Sequence, residues 1–305
     1  MVASDVDPLS PVLDRKIKET EPSRQCGFSM LMKGNEMSET TRFVDTVHGK
    51  LAYRITGADG GVPILLTSRF RGTLDDWDPA FIDALAGNRT VITFDSAGIG
   101  RSGGEVPTSI EGMADVAAAF VNALAIKQID LLGWSLGGLV AQTVALNHRD
   151  IVRRLIVAGS SPGGITDGPQ QHPRVPEVMS HASNDEDDFL FMFFPETETA
   201  RAAGRDYIKR LGAMSGRGPA VTEASFRNQM KAFMTWKGVR ERLRELTIPV
   251  LVANGQHDAM IPAYRSYVLA QEVLDGKLVL YPDAGHAFLF QYFKKFATEV
   301  DDFLS

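Results

Sequence analysis

The chain has 305 residues, of which 44% are hydrophobic and 23% charged, and its formal net charge at pH 7 is −6. This composition is typical of a globular protein large enough for one core with an insertion. The acidic balance argues against nucleic acid as a partner, because phosphate binding requires a basic patch. The single cysteine, Cys26, excludes an internal disulfide framework, and no spacing of Cys and His suggests a metal site, so we expect a reducing, cytoplasmic location.

The first segment of the chain is rich in proline, charged and hydroxyl-bearing residues. Residues 1–42 contain Pro8, Pro11 and Pro22 but no long apolar run. A secretory signal or a membrane span would require such a run. We therefore interpret residues 1–42 as an N-terminal extension with disordered parts, and we expect no membrane partner.

Beyond the extension, short runs rich in Val, Ile and Leu alternate with longer amphipathic stretches. FVDTV and KLAYRIT predict an antiparallel hairpin at a sheet edge, and six buried strands follow: ILLTS, VITFD, IDLLGW, RLIVAGS, VLVANG and KLVLY. This alternation predicts an α/β fold whose sheet is mostly parallel and has helices on both faces. Ligands of such sheets bind at the carboxyl ends of the strands.

The strand IDLLGW ends in a pattern typical of a nucleophile elbow. Ser135 is flanked by Gly133 and Gly137 at the point where the strand gives way to a helix of small residues. A serine held on so sharp a turn leaves room for glycine alone two residues to either side. Ser135 is therefore the candidate nucleophile. The alternative is a glycine-rich turn whose serine caps the following helix.

A serine hydroxyl needs a base, and the base needs a group that orients it. His286 follows the strand that ends at Tyr281, and Asp258 follows the strand VLVANG, so both lie at predicted strand ends. We assign His286 as the base and Asp258 as its carboxylate partner. Asp258 could also cap the next helix. The remaining histidines have simpler interpretations as helix-end, solvated, neighbouring or turn residues: His148, His172, His181, His257 and His48.

About 85 residues separate the strands RLIVAGS and VLVANG, many more than a crossover helix requires. This length predicts a helical lid at residues 161–246, inserted into a core formed by residues 43–160 and 247–305. Its aromatic run, FLFMFFP at residues 189–195, can form an apolar roof over Ser135 or simply the lid's own core. The aromatic residues expected to contact substrate are Trp134, Phe193, Phe194, Trp236 and Phe288.

Four motifs in this order, namely FDSAGIGRSG, GWSLGG, NGQHD and DAGHAF, resemble the alpha/beta-hydrolase superfamily. The resemblance covers roughly residues 43–305 and is strongest to the cap-bearing branch of esterases, lactonases and cofactor-free haloperoxidases. It implies an alpha/beta-hydrolase fold in which Ser135, Asp258 and His286 form a catalytic triad.

One segment departs from the family pattern. After the strand ILLTS the family carries His-Gly, whereas this chain has Ser68 and Arg69. By resemblance, the backbone N–H groups of Phe70 and Leu136 form the oxyanion hole, which is worth a factor of about 100 to 1000 in turnover. Arg69 and Arg71 either meet an acidic group on the substrate or form a solvated, salt-bridged surface.

These observations predict a serine hydrolase that acts on an ester, lactone or thioester of a mid-sized apolar small molecule. The acyl-enzyme forms on Ser135, and neither a cofactor nor a metal is required. The same triad also serves C–C bond hydrolysis and cofactor-free perhydrolysis, and the sequence does not separate these reactions. A ligand-binding relative without activity, with an oxyanion loop altered by Arg69, is the alternative from outside the enzymes.

Overall fold

A computed structural model describes residues 40–305 except Asp59 and Ala182. Most of the segment interpreted as an extension, together with Cys26, lies outside the described residues. The described chain begins just before the first strand. Its strands are β1 (Arg42–Thr46), β2 (Gly49–Thr56), β3 (Ile64–Thr67), β4 (Val91–Phe94), β5 (Ile129–Trp134), β6 (Val152–Ala158), β7 (Val250–Gly255) and β8 (Gly276–Tyr281).

The eight strands form one sheet in the order β1-β2-β4-β3-β5-β6-β7-β8. β1 pairs antiparallel with β2, and β2 pairs antiparallel with β4. All other pairs are parallel, so the carboxyl ends of β3 to β8 meet at one edge of the sheet. The predicted alpha/beta-hydrolase fold and its edge hairpin are confirmed.

Helices connect these strands and cover both faces of the sheet. They are α1 (Pro79–Ala86), α2 (Ile110–Ala123), α3 (Leu136–Asn147), α4 (Val175–Ser180), α5 (Glu186–Phe193), α6 (Glu198–Gly212), α7 (Glu223–Thr235), α8 (Ala263–Glu272), α9 (Phe288–Gln291) and α10 (Phe293–Leu304). Several begin at side-chain caps: Asp78 accepts the N–H of Ala80 before α1, and Thr197 accepts that of Ala200 before α6.

Two apolar layers enclose the sheet, because neighbouring residues of a strand point to opposite faces. Leu131 of β5 packs in one layer with residues of α2, α3 and α8. Leu132, the next residue, packs in the other layer with residues of α1 and α10, including Phe81 and Phe296. The central strands β3 to β7 are therefore buried on both sides, as their continuous apolar runs indicate. The edge strands β1 and β8 are partly exposed, so the expectation that KLVLY is a buried strand is wrong: β8 has a neighbouring strand on one side alone.

Residues 159–249, called here the insert, lie between β6 and β7 and contain α4, α5, α6, α7 and a 3-10 helix at Arg240–Glu245. Its aromatic side chains join the layer formed by α1 and α10, where the Tyr207 ring stacks on that of Phe290 at 4.5 Å. The insert thus packs directly on the core. Among the described residues, no helix combines the length and apolar character needed to cross a membrane.

Candidate active site

Ser135 lies between β5 and α3 in a backbone conformation that side chains rarely adopt. Its φ is 60° and its ψ is −121°. The N–H of Ser135 donates to the carbonyl of Ala158 on β6 at 2.9 Å, which fixes the turn to the neighbouring strand. Its side chain makes no capping hydrogen bond to α3 in the described structure, so the simple helix-cap interpretation does not hold.

The glycines around Ser135 are required by close backbone contacts. A Cβ on Gly133 would lie 2.2 Å from the carbonyl oxygen of Gly137, and one on Gly137 would lie 2.0 Å from that of Thr67. A Cβ on Gly138 would meet Ser160 at 2.4 Å. The sharp turn therefore depends on glycine for a steric reason, as the sequence pattern indicates.

Asp258 and His286 are in direct contact at the ends of β7 and β8. Nδ1 of His286 lies 2.7 Å from Oδ2 of Asp258, and both side chains are fully buried. The other carboxylate oxygen, Oδ1, accepts the N–H groups of Met260 and Ile261 at 2.8 Å each. Asp258 thus orients the histidine and also closes the turn that follows β7.

The second ring nitrogen of His286, Nε2, points away from this contact. A carboxylate only accepts hydrogen bonds, so Nδ1 is the nitrogen that donates to Asp258. Nε2 is buried and makes no hydrogen bond to any described residue, Ser135 included. The rings of Trp134 and Phe193 flank the imidazole at 5.8 and 5.7 Å, and the Trp134 indole N–H donates to the His286 carbonyl at 2.9 Å.

Ser135 opens into a cavity of about 460 Å³ between the sheet edge and the insert. Its apolar lining comes mainly from the insert and includes Phe189, Met192, Phe193 and Val221. Its polar lining is mostly charged and comes largely from the loop after β3. The residues are Arg69, Arg71, Thr73, Asp75 and Asp76, together with Asn184 and Arg217 of the insert. The volume suits a mid-sized small molecule.

Two backbone N–H groups near Ser135 remain free to act as donors. Leu136 is the first residue of α3, a position without an intrahelical acceptor. In the loop after β3, Arg71 donates its N–H to Oε1 of Gln229 and Gly72 donates to Arg69, whereas no described residue accepts the N–H of Phe70. Phe70 lines the same cavity as Ser135, and Leu136 follows Ser135 in the chain, whereas the role of their N–H groups as oxyanion donors stays a prediction.

Arg69 and Arg71 belong to the cavity and not to a solvated surface. The Arg69 side chain is 16% exposed, and its guanidinium lies 5.5 Å from the centroid of the Phe193 ring. Arg71 has φ 57° and donates through Nη1 to the carbonyl of His181 at 3.0 Å. Burial lowers the pKa of Arg71, and the charge of Arg69 lowers it further.

An acidic stretch, residues 75–78, ties the insert to the loop after β3. The buried carboxylate of Asp78 accepts two hydrogen bonds from Arg210 of α6, at 2.8 and 2.5 Å. The hydroxyl of Tyr207, one turn earlier, donates to the carbonyl of Asp76 at 2.8 Å. Helix α6 is therefore attached to this stretch through two successive turns.

The first residues of the acidic stretch hold the loop between α6 and α7. Arg217 donates to Oδ1 of Asp76 at 3.0 Å, and the N–H of Gly218 donates to Oδ2 of Asp75 at 2.7 Å. Asp75 also forms ion pairs with Arg54 and Arg101. Burial tends to raise the pKa of Asp75, but the Gly218 N–H and the two arginines outweigh it and lower the pKa.

Asp95 lies beneath the same loop, just after β4, and is fully buried. Its carboxylate accepts the backbone N–H of Leu74 at 2.7 Å and that of Arg101 at 2.9 Å. Burial raises the pKa of Asp95 to about 6, and the negative charge of Asp75 acts in the same direction, against the two N–H donors. Asp95 thus titrates far above an ordinary aspartate.

Of the five aromatic residues expected to contact substrate, Phe193 lines the Ser135 cavity. The other four are not among its lining residues. Trp134 is buried behind His286, and Phe288 packs against Tyr281 and Phe296 in the core. The Phe194 ring lies tilted at 6.4 Å from that of Tyr207, and Trp236 packs on the layer formed by α2 and α3. Their expected role in substrate contact is therefore not retained.

Sequence reasoning did not identify several residues of the cavity. Met260 lies two residues after Asp258, Met179 lies on α4, and Arg217 lies in the loop after α6. Proximity to Asp258 was a usable signal for Met260. No local pattern marks Met179 or Arg217, because their positions depend on how the insert folds back over the sheet.

Among the described residues, no other histidine side chain is hydrogen-bonded to Asp258 or His286. His148 ends α3 and lies 2.9 Å from Asp115, and His181 lies 2.7 Å from Asp188. His257, although next to Asp258 in sequence, is exposed. The structure therefore brings His286, and not His257, against the carboxylate.

The sheet order, the elbow and the buried carboxylate–histidine pair at the strand ends together define the class of an alpha/beta hydrolase. A model of the alpha/beta hydrolase fold family matches residues 63–292. The match covers most of the chain, which therefore belongs to this family.

Individual relatives support the assignment of the protein as a hydrolase. The chain is 29% identical over 249 residues to RutD of Azorhizobium caulinodans, whose name assigns it to carbamate hydrolysis; the match covers 78% of this chain and 88% of the relative. It is 30% identical to the pimeloyl-acyl-carrier-protein methyl ester esterase of Klebsiella pneumoniae, covering 69% and 81%. An alpha/beta hydrolase fold protein from Chitinophaga pinensis superimposes with a TM-score of 0.79 at 31% identity, covering 88% of this chain and 98% of that one.

Proposed function

We propose that the protein is a serine hydrolase that cleaves an ester, lactone or thioester of a mid-sized small molecule through an acyl-enzyme on Ser135. The observation that carries the proposal is the buried pair of Asp258 and His286, which leaves Nε2 of the histidine without a partner among the described residues. This pair and Ser135 lie at the carboxyl ends of three parallel strands of one sheet.

In this reaction Nε2 of His286 takes the proton of the Ser135 hydroxyl as the serine oxygen attacks the substrate carbonyl. Asp258 fixes the tautomer and stabilises the imidazolium. The N–H groups of Phe70 and Leu136 hold the negative oxygen of the tetrahedral intermediate. His286 then gives the proton to the leaving group, and a water activated by the same imidazole releases the acyl group.

The insert is the lid of this site in our proposal. Helices α4 and α5 and the loop before α7 supply most of the apolar lining of the cavity, and the acidic stretch holds α6 in place. A covered cavity excludes bulk water from the acyl-enzyme until the leaving group departs.

The absence of a second cysteine in the sequence supports a reducing, cytoplasmic location as part of the same proposal.

A fluorophosphonate probe tests the nucleophile directly. We expect covalent labelling of one peptide at Ser135 and no labelling of Ser135→Ala. In the same variant, turnover of a responsive ester should fall by a factor of about 10⁴ to 10⁶, with an unchanged melting temperature. Labelling of another serine, or turnover of Ser135→Ala within a few-fold of the wild type, would rule out the proposed nucleophile.

One observation favours a second candidate, a ligand-binding relative without activity: Arg69 replaces the family glycine beside Phe70. A substrate panel separates the candidates. It contains esters of graded chain length, lactones, thioesters and substrates of C–C bond hydrolysis. A separate assay measures peroxide-dependent halogenation. Tight binding of a ligand together with an unreactive Ser135 would establish the second candidate.

A further inference from the structure

Arg69 carries hydrogen-bonding capacity that the described residues do not use. A guanidinium has five N–H donors. Nη1 donates to the carbonyl of Phe70 at 2.8 Å, whereas the buried Nε makes no hydrogen bond to a described residue. Nη2 lies 3.7 Å from Oδ1 of Asp76, beyond hydrogen-bonding distance. Unused donors on a largely buried cation are costly, which indicates a site built for an additional acceptor.

The nearby carboxylates are already committed to other groups. Asp76 accepts Arg217 at 3.0 Å through Oδ1, and its Oδ2 accepts both the N–H and the hydroxyl of Thr73. Asp75 is paired with Arg54 and Arg101. The Asp76 carboxylate, which lies 3.7 Å from Arg69, therefore has a closer cationic partner in Arg217.

Arg71 adds positive charge to the same cavity. Its guanidinium lies against the Phe226 ring at 5.4 Å, and the depression of its pKa includes a contribution from the charge of Arg69. Two arginines two residues apart therefore face one cavity. An anion that enters the cavity is attracted by both charges even if it contacts one of them.

The position of Arg69 fits a substrate that spans from the guanidinium to the catalytic pair. The Phe193 ring lies 5.5 Å from the Arg69 guanidinium and 5.7 Å from the His286 imidazole. A short acyl chain along this ring can place its carbonyl beside Ser135 and a terminal charge at Arg69. The apolar ring then packs against the methylene groups between them.

We propose that Arg69 binds a carboxylate at the far end of the acyl chain, so that the substrates are half-esters of short dicarboxylic acids or the corresponding lactones and thioesters. A guanidinium matches a carboxylate through two parallel N–H groups, which gives geometric specificity as well as affinity. This inference rests on the proposed hydrolase function and names its substrate class.

The test compares anionic and neutral esters of equal chain length. Monomethyl succinate, glutarate and adipate are paired with methyl butanoate, pentanoate and hexanoate, and hydrolysis is followed by proton release in a pH-stat. Methyl esters are chosen because the free carboxylate of an activated aryl half-ester attacks its own carbonyl. For the wild type we expect kcat/KM to favour the anionic member of at least one pair by about tenfold or more.

Three variants connect this preference to Arg69. Arg69→Gln removes the charge and should reduce the ratio of anionic to neutral kcat/KM by about 10- to 100-fold, mainly through KM. Arg69→Lys keeps the charge and should restore part of the ratio. Arg227→Gln, which changes an exposed arginine of α7 outside the cavity lining, is the matched control and should leave the ratio unchanged.

A binding measurement separates this inference from the hydrolase proposal. Adipate and glutarate should raise the melting temperature of Ser135→Ala more than hexanoate and pentanoate do, and the difference should vanish when Arg69→Gln is added. Hydrolysis of neutral esters without an anionic preference, or a preference that survives in Arg69→Gln, would overturn the anion site. Failure to cleave any ester, with dicarboxylate stabilisation that depends on Arg69, would overturn the hydrolase proposal and leave the site supported.

Discussion

The strand ends that carry Ser135, Asp258 and His286 and the insert that covers them are held by different kinds of interaction. The elbow is fixed by backbone contacts, such as the approach of Gly137 to the Thr67 carbonyl. The insert is attached through side chains, partly by apolar packing such as that of Tyr207 on Phe290 and partly by charged pairs such as Arg210 and Asp78.

This difference has a physical consequence. Backbone geometry is insensitive to pH and salt, so the position of the nucleophile is set once the sheet folds. Charged pairs respond to salt and pH where water reaches them, so we expect the charged part of this attachment, and not its apolar part, to vary with conditions. We therefore expect substitutions at the strand ends to act on chemistry or on the whole fold, and substitutions in the acidic stretch to act on the covering of the cavity.

The largest expected effect is on chemistry. Asp258→Asn should lower kcat by about 10⁴-fold, because the amide no longer holds the His286 tautomer that accepts the serine proton. Substrate KM should change little. Steady-state kinetics with an ester found active in the panel provides the measurement. His257→Ala, the exposed neighbour, is the control, and loss of activity in that variant instead would show that the histidine assignment is wrong.

The next effect is on the fold itself. Gly137→Ala places a Cβ 2.0 Å from the carbonyl oxygen of Thr67, a backbone atom of a residue that is paired with Gly133 between β3 and β5. We expect the free energy of unfolding to fall by more than about 4 kcal/mol, a loss that single substitutions rarely reach. Gly212→Ala is the matched control.

Gly212 closes α6 and has open space around its Cα. Alanine there should stabilise the protein by about 0.5 to 1 kcal/mol through helix propensity. Urea unfolding of both variants checks the pair. A Gly137→Ala protein within about 1 kcal/mol of the wild type would show that the elbow is not constrained by its glycines.

The difference between the strand ends and the insert also explains which features can be predicted from the sequence. The central strands β3 to β7 are predictable because each contains a continuous apolar run, the edge hairpin because its two strands follow each other closely, and the elbow because its glycines lie within two residues of Ser135 in the chain. Asp258 and His286 follow their strands directly, and a parallel sheet brings such strand ends together. Their contact is observed, whereas their catalytic role stays a prediction.

The insert could not be predicted in this way. Asp78 and Arg210 are separated by 132 residues, and nothing near either residue indicates the other. Phe288 illustrates a second limit. An apolar residue just after His286 can face the cavity or the core, and the sequence around it is the same in both cases. In the structure Phe288 is fully buried against Tyr281.

The charged attachment of the insert is tested by removing one partner. Arg210→Gln leaves the fully buried Asp78 carboxylate without its cation and should lower the free energy of unfolding by about 3 to 4 kcal/mol. The control is Arg227→Gln on α7, whose pair with Glu223 is more than 70% exposed. That change should cost less than about 0.5 kcal/mol. Equal losses in the two variants would contradict the role assigned to the acidic stretch.

The smallest expected effect is the pH dependence of stability that arises from Asp95 beneath the acidic stretch. Its pKa rises from an ordinary value near 3.8 to about 6 in the folded protein. Between these two values the folded state binds more protons than the unfolded state, so this group lowers stability as pH rises from about 4 to 6. The full effect is at most about 3 kcal/mol, since one pKa unit corresponds to about 1.4 kcal/mol.

Comparison with Asp95→Asn isolates this contribution, because an amide does not titrate and other groups cancel between the two proteins. The variant loses one acceptor for the N–H groups of Leu74 and Arg101, which gives an offset that does not depend on pH. We expect the free energy of unfolding of Asp95→Asn relative to the wild type to increase from pH 4 to pH 6 and to level off above about pH 7. Urea unfolding of both proteins at each pH measures it. A constant difference across this range would mean that Asp95 is ionised in the folded state at the same pH as in the unfolded chain, and that the loop under the cavity does not couple stability to pH.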